Sequence, residues 1–456
     1  MPTSLPPPPP PPPIRIAIIG SGLAGAALLR GLLRHPPHLL SVDMYATRPT
    51  FKEEGPGLCF FDAAALALID PELAGCLERA GAVLATAETR VAVGEGAGAA
   101  VRIRGLGERS HWNVNREALL REMLRGVPAG VVRPGPSGGG SGGGTKAIVS
   151  VAALGAGQGQ LITFDDGTQE RYDVVVGAEG AHGFTRRLVL GDDEALVKPR
   201  ATGFWGLPIK VPLRRAQEVM GAGELLDPRN PRQMGWIGDG TMMLCNMVDG
   251  GDEVQIIVHG KTDGEGEGEG EGDKEPEWAK LFTTEEFREM FAGYRVPMCQ
   301  GMVDLILSVY TVQVAAICQL EHRPAPTYAT DSICLLGDSA HSMLPFQGAS
   351  ACLALEEALI LSTLLGRLPS KAAIPAALKA YDSVCRPRAE QAARDSAETG
   401  LLVTGRMPGV GVDPEALQGR LRGMWDFLLG IDVRAYRAAA AAVMDQLLVD
   451  GGAGWQ

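Results

Sequence analysis

Residues 14–33 read IRIAIIGSGLAGAALLRGLL, and the rest of the chain is arranged around them. Ile14 to Ile19 is a short, β-branched, apolar run with a single arginine, which suits a central parallel strand buried on both faces. Gly20, Gly22 and Gly25 then spell G-x-G-x-x-G. The first glycine allows a tight turn, the second lets a pyrophosphate approach the backbone, and the third lets the following helix pack close to the strand. Leu28, Leu29, Leu32 and Leu33 keep helical spacing, so the free N–H groups and positive dipole end of that helix would face the phosphate. Set between a strand and a helix, the motif reads as a dinucleotide-binding unit.

The chain has 456 residues, 45% hydrophobic and 21% charged, enough for two or three domains and a large core. Its first thirteen residues, MPTSLPPPPPPPP, lack the basic and apolar regions of a signal peptide and suit an extended tail, with an SH3- or WW-type docking site as the alternative. No run of 18 uninterrupted apolar residues occurs, which argues against a transmembrane span. Eight scattered cysteines without C-x-x-C suggest reduced thiols in the cytoplasm, with neither a zinc site nor a disulfide frame. Of the net charge of −12, the segment from Asp263 to Glu277 supplies −7, and the acidic balance argues against nucleic-acid binding.

Along the chain, Leu39–Tyr45 reads as a second strand, Phe51–Gly57 as a turn and Asp62–Ala80 as helical. Thr89–Arg104 alternates like a hairpin, and Arg116 opens an amphipathic helix. Pro134–Thr145 reads as a flexible insertion. Ile148–Val151 and Leu161–Phe164 with the Asp165–Thr168 turn read as a hairpin, and Asp173–Gly177 as a buried strand. From about Ala201 to Val314 short strands alternate with turns, as in an antiparallel sheet facing a pocket. The repeat Gly264–Gly272 reads as a solvated loop. A buried strand returns at Ile333–Leu336, a long apolar helix spans Ser350–Leu365, and Asp413–Leu448 supplies the last helices.

Three glycine-acid elements stand far apart: GSGLAG (Gly20–Gly25), VVVGAEGAHGFTRR (Val174–Arg187) and LLGDSAHSMLPFQGAS (Leu335–Ser350). Together with WNVNREALLREML (Trp112–Leu124) and Tyr381…Arg386-Pro387-Arg388…Ser396…Gly400, they resemble the salicylate hydroxylase-like branch of the single-component FAD-dependent aromatic hydroxylases. The likeness covers most of residues 14–430. It implies an α/β fold: a Rossmann-like FAD-binding domain with a parallel sheet (14–200 and 315–400), an inserted antiparallel substrate-binding sheet (201–314) and a helical C-terminal region (401–456). It implies FAD as bound cofactor, NADPH or NADH as transient co-substrate, and hydroxylation of a phenolic or salicylate-like small molecule by O₂ through a flavin hydroperoxide. Epoxidation or dearomatisation of a secondary metabolite, and flavin binding without turnover, are the alternatives.

The resemblance assigns cofactor contacts to Gly20, Gly22, Gly25, Arg116, Glu179, Gly180, Gly337, Asp338, Pro345, Gly348 and Ala349. Asp338 would accept hydrogen bonds from the ribityl hydroxyls, or else cap a turn. Arg116 would lie near the phosphates, or else be surface charge. Pro345–Ser350 would turn backbone N–H groups to the pyrimidine edge of the flavin. His341 is expected to pack or hydrogen-bond beneath this loop, and His182 and His322 to be structural. The pyridine nucleotide is expected to bind across the surface near Glu179. Trp205, Trp236, Met242 and Met243 could line an apolar pocket or fill a core. Glu179 stands where the family usually has aspartate, Ala46 where it has a ribose-binding acid, and Ser350 where it often has glycine. Asp43 should point to the opposite face of its strand from Ala46. Phe204-Trp205-Gly206 replaces an aromatic-Arg-Gly sequence. No catalytic base, oligomeric state or metal ligand is readable.

Overall fold

A computed structural model describes residues 12–46, 57–61, 63–105, 107, 110–134, 147–155, 157–221, 224–262 and 278–452. The polyproline tract up to residue 11, the turn at 51–56, the insertion at 135–146 and the Gly/Glu repeat lie outside them. The first βα unit forms where it was expected: β1 (Ile14–Ile19), α1 (Leu23–Leu33) and β2 (Leu40–Tyr45). Next come β3 (Leu58–Phe60), α2 (Ala64–Ile69), α3 (Cys76–Arg79), β4 (Val83–Val91), β5 (Ala100–Val101), β6 (His111–Val114), α4 (Arg116–Met123) and β7 (Val132–Arg133). The stretch expected to be helical over Asp62–Ala80 is broken at Asp70-Pro71 and again at Gly75. Proline cannot continue the preceding helix, and Gly75 adopts a left-handed conformation.

The chain continues through β8 (Ile148–Ala153), β9 (Gln160–Phe164), β10 (Gln169–Tyr172), β11 (Val174–Gly177), α5 (Thr185–Leu190) and α6 (Glu194–Val197). The Asp165–Thr168 turn joins β9 to a third strand, so the expected hairpin is a three-stranded meander. The second sheet follows: β12 (Arg200–Pro212), α7 (Leu213–Met220), β13 (Arg232–Ile237), β14 (Thr241–Val248), β15 (Glu253–Lys261), β16 (Ala279–Thr283), α8 (Thr284–Glu289), α9 (Pro297–Val309) and β17 (Gln313–Glu321). Then come β18 (Ile333–Leu335), α10 (Asp338–His341), α11 (Ala349–Gly366), α12 (Ile374–Val403), α13 (Pro414–Leu421), α14 (Asp426–Leu429) and α15 (Val433–Gly452).

The parallel sheet runs β18-β11-β1-β2-β7, with β1 at its centre. Ile16 and Ile18 look into the large core shared with α1, α11 and α12, while Ala17 and Ile19 look the other way, onto Phe164 and Tyr172 of the meander. Both faces are covered, and this is why the strand reads as continuously apolar. The larger sheet runs β16-β17-β12-β15-β14-β13-β4-β6-β3, with β5 beside β4. It is mostly antiparallel and recruits four strands, β3 to β6, from the N-terminal third of the chain. Its last strand in sequence, β17, runs past residue 314 to Glu321. One face of the sheet packs on Phe287, Phe291, Met302 and Ile306 of the α8–α9 region, and the other turns toward α11, α12 and the C-terminal helices.

The helix Ala349–Gly366 is long and apolar enough to cross a membrane by length and composition, but 72% of it is buried inside the fold. It lies against α1, α2, α12 and α15, so core packing accounts for its apolarity.

Candidate active site

Gly20 ends β1 with φ +113°, and a Cβ there would overlap the Ala178 carbonyl that follows β11. At Gly25 a Cβ would overlap the carbonyl oxygen of Gly20, so α1 can approach β1 only through glycine. Gly22 differs. A Cβ there would meet nothing nearer than Nη2 of Arg116 at 3.8 Å, so this glycine presents an open face with a guanidinium above it. Gly22 is also the N-cap of α1 and supplies no side-chain acceptor, which leaves first-turn N–H groups available to an anion.

Arg116 reaches this place because Asn115 fixes the start of α4, its Oδ1 accepting from the N–H groups of Glu117 and Ala118 at 2.9 and 3.3 Å. Among the described residues Arg116 has no protein partner. The residue is exposed, and its guanidinium stands beside the glycine turn.

The Gly337–Asp338 loop closes on the same turn. A Cβ at Gly337 would come 3.1 Å from Ala24 Cβ and 3.3 Å from Ala354 Cβ, so the residue is wedged between α1 and α11. Its N–H donates to Glu357 Oε2 at 2.9 Å, and Glu357 Oε1 lies 2.7 Å from His341 Nε2 in a fully buried pair. Burial alone would lower the His341 pKa, but the Glu357 charge beside it raises it above the ordinary value. His341 thus hydrogen-bonds beneath the loop, as expected. Asp338 stays exposed, and its Oδ1 accepts from the Ser350 hydroxyl.

The Glu179–Gly180 turn joins them through Ser339, whose Oγ accepts from Gly180 N–H at 2.9 Å. The Glu179 carboxylate is engaged by the first turn of α5, accepting from Phe184 N–H at 3.1 Å, from Thr185 N–H at 3.4 Å and from the Thr185 hydroxyl. Burial raises its pKa to about 7 against these donors. Arg186, a residue the sequence reading passed over, is almost wholly buried and donates to the carbonyls of Ser339 and Ala340 at 3.1 and 2.6 Å. It sits inside the quoted VVVGAEGAHGFTRR, but nothing in local spacing distinguishes it from Arg187, which pairs with Asp192 and Glu194 at the surface.

The Pro345–Ala349 segment leads into α11 with Gly348 in the left-handed region (φ +63°) as an N-cap without a side-chain bond. Gln347 is buried and anchors it, with Nε2 donating to Thr399 Oγ1 at 3.2 Å and to the Met424 carbonyl at 3.0 Å. Ser396 Oγ donates to the Leu344 carbonyl at 2.6 Å. The second sheet faces this segment at Phe346, whose ring lies 4.9 Å from Phe204 and 5.0 Å from His259. Trp205, Trp236 and Met243 instead fill the core on the far face, and Met242 alone of the four packs on the near side. A cavity of about 300 Å³ adjoins Ala349, lined also by Phe61, Cys352, Glu356, Leu429 and Val433.

Asp43 is taken up elsewhere. It accepts from Arg133 at 2.7 Å and from Tyr172 at 2.7 Å, on the strand face away from the glycine turn. Ala46 offers only its backbone, which donates to the Arg133 carbonyl. His322 Nε2 lies 3.0 Å from the Ala181 carbonyl, and His182 packs on Trp278; both look structural. Among the described residues no group of acids, histidines and cysteines could hold a metal. None of the eight cysteines forms a disulfide.

Two helix N-termini without side-chain caps, an open glycine with an arginine beside it, and an exposed carboxylate are thus brought near one another. Free N–H groups with a cation beside them suit a doubly anionic dinucleotide. The FAD binding domain family matches residues 301–396. The chain is 28% identical over 440 residues to 6-methylsalicylate 1-monooxygenase atA of Aspergillus terreus, covering 92% of this chain and 90% of that one. It is 28% identical over 445 residues to a salicylate hydroxylase of Pseudomonas putida, covering 93% and 94%. A solved salicylate hydroxylase–substrate complex superimposes with a TM-score of 0.75 at 26% identity, covering 94% of this chain and 98% of that one.

The chain is therefore a flavoprotein, an FAD-dependent monooxygenase. Within that class it is similar to the salicylate hydroxylases and the 6-methylsalicylate monooxygenase.

Proposed function

We propose that the chain hydroxylates a phenolic or salicylate-like aromatic compound at the expense of NAD(P)H and O₂. The observation that carries this reading is the aromatic wall of Phe204, His259 and Phe346, where the substrate-side sheet meets the Pro345–Ala349 segment. The names of the two relatives, a salicylate and a 6-methylsalicylate enzyme, support it. When bound, FAD accepts hydride from the pyridine nucleotide and supplies the electrons that let one oxygen atom of O₂ enter the ring while the other leaves as water.

The protein's part is to bind and orient. The N–H groups behind Gly22, with Gly20, Gly25 and Arg116, would hold the pyrophosphate, and Gly337–Asp338 would hold the ribityl chain through the Asp338 carboxylate. Ser350 would fix the Asp338 rotamer. Glu179 and Gly180 would shape the floor near which the nicotinamide nucleotide docks. Pro345 and Gly348 would shape the loop, the Gly348 N–H donating to the Pro345 carbonyl, so that Ala349 at the start of α11 would turn its backbone N–H to the flavin ring, where it favours the anionic reduced form. Residues 14–200 and 315–400 would act as the cofactor domain, with 201–314 covering the substrate and 401–456 packing behind. Eight cysteines with no disulfide among them support a cytoplasmic setting.

Purified protein should be yellow, hold about one FAD, and oxidise NADPH or NADH faster when a phenolic acid is added. Product mass should rise by one oxygen atom. A colourless protein that takes up no FAD defeats the whole reading. Tight flavin that neither nucleotide reduces, with any phenol present, would make it a binder without turnover.

A further inference from the structure

His259 occupies an unusual position. It lies on β15 opposite Gly206 of β12 and Met242 of β14, on the sheet face that looks toward the loop before α11. Its ring is 5.0 Å from that of Phe346, and its Nδ1 is buried without a hydrogen-bond partner. Such an atom costs free energy unless something supplies the missing bond. Gly206 is what admits it: a Cβ at that position would come 3.2 Å from His259 Nδ1 and 2.7 Å from Gln319 Nε2. Burial lowers the His259 pKa to about 4, against the Trp205 backbone carbonyl, so the imidazole is neutral at pH 7. A neutral imidazole has one donor and one acceptor nitrogen and can exchange a hydrogen bond with a hydroxyl in either sense. Two residues on, on the same face of β15, Lys261 holds its ammonium 5.1 Å from the centre of the Phe204 ring, a cation at the rim of the same aromatic wall.

We propose that His259 is the positioning residue for the ring hydroxyl of the substrate and Lys261 the group that attracts its anionic substituent, so that the site selects aromatic hydroxy acids over either bare phenols or bare benzoates. This rests on the aromatic hydroxylase reading above. The hydroxyl would complete Nδ1, the ring would lie against Phe204 and Phe346, and the carboxylate would face Lys261.

The test uses the FAD-loaded enzyme and follows the flavin absorbance spectrum on titration with salicylate, phenol and benzoate. His259→Leu should weaken salicylate and phenol about tenfold and leave benzoate unchanged, the size expected of one hydrogen bond. His259→Gln, which keeps a polar group there, should recover part of the loss. Lys261→Gln should weaken salicylate and benzoate but not phenol. Each variant must retain wild-type FAD content, which separates a packing defect from loss of a contact. Equal weakening of all three ligands by His259→Leu, or no weakening at all, overturns the role of His259. Retained benzoate affinity in Lys261→Gln overturns that of Lys261. If the wild-type flavin responds to none of the three, the aromatic reading itself fails and this inference falls with it.

Discussion

Arg116 and Glu179 show how differently two charged residues at one slot can be employed. Arg116 is held in place by a well-capped helix yet has no protein partner among the described residues, so the fold gains little from its charge. Arg116→Gln should leave the melting temperature of the apoprotein within a degree or so. It should weaken FAD by roughly tenfold or more, the loss of a charge-assisted contact worth about 1.5–3 kcal/mol; flavin fluorescence quenching on titration of apoprotein measures this. Glu179 is committed to the fold instead. Its carboxyl ionises near 4.5 when free and near 7 here, because burial outweighs the three donors of Phe184 and Thr185. Between those pH values the folded chain keeps a proton that the unfolded chain has lost. The group therefore destabilises fully above pH 7, and that penalty, on the order of 3 kcal/mol, fades as pH falls toward 4.5. Glu179→Gln should be the more stable protein in urea at pH 8 and should lose that advantage by pH 5.

At the scale of elements, the strand–turn–helix unit separates two kinds of glycine. Gly25→Ala forces a methyl into the Gly20 carbonyl and must push α1 off β1, so unfolding should become easier by about 3 kcal/mol and flavin should be lost with it. Gly22→Ala has room and an ordinary backbone (φ −74°), so the apoprotein should melt as wild type while FAD affinity falls sharply. Differential scanning fluorimetry with and without FAD distinguishes the two. This unit was legible in the sequence because its requirements are local: a two-sided strand, a left-handed turn and a close helix crossing all sit within twenty residues. The second sheet was less legible for a physical reason. Alternation has period two, and Phe204-Trp205 and Met242-Met243 each offer an apolar residue to both faces, so the sequence cannot say which member looks toward the cofactor domain. Phe204 and Met242 do, and Trp205 and Met243 do not. His259 escaped notice for the same reason, since an isolated histidine in an apolar strand carries no motif. Likewise β4, β6 and β3 join this sheet from over a hundred residues away, which no local pattern records.

At the scale of the whole molecule, Arg388 ties together three parts of the chain that sequence places far apart. Its guanidinium grips Glu356 of α11 at 2.7 and 3.0 Å, and Nη1 donates to the Phe427 carbonyl at 3.1 Å; its plane lies over Phe427 and, from the other helix, Tyr436. Both charges are buried. Glu356 also lines the 300 Å³ cavity beside Ala349, one wall of which comes from the C-terminal residues Leu428, Leu429, Ile431 and Val433. The C-terminal region is thus fastened to the helix whose first turn faces the flavin slot. Arg388→Met would strand the Glu356 charge in the interior, which costs about 3–5 kcal/mol when one partner of a buried pair is removed. The double variant Glu356→Leu/Arg388→Met removes both charges and should regain most of that stability, because two matched apolar groups need no desolvated ion. It would still lack the hydrogen bond to Phe427. If the clamp serves only stability, the double variant should hold FAD as tightly as wild type. Should it also orient the start of α11, the double variant will denature in urea near the wild-type midpoint yet release FAD more readily, and measuring both on one preparation decides between them.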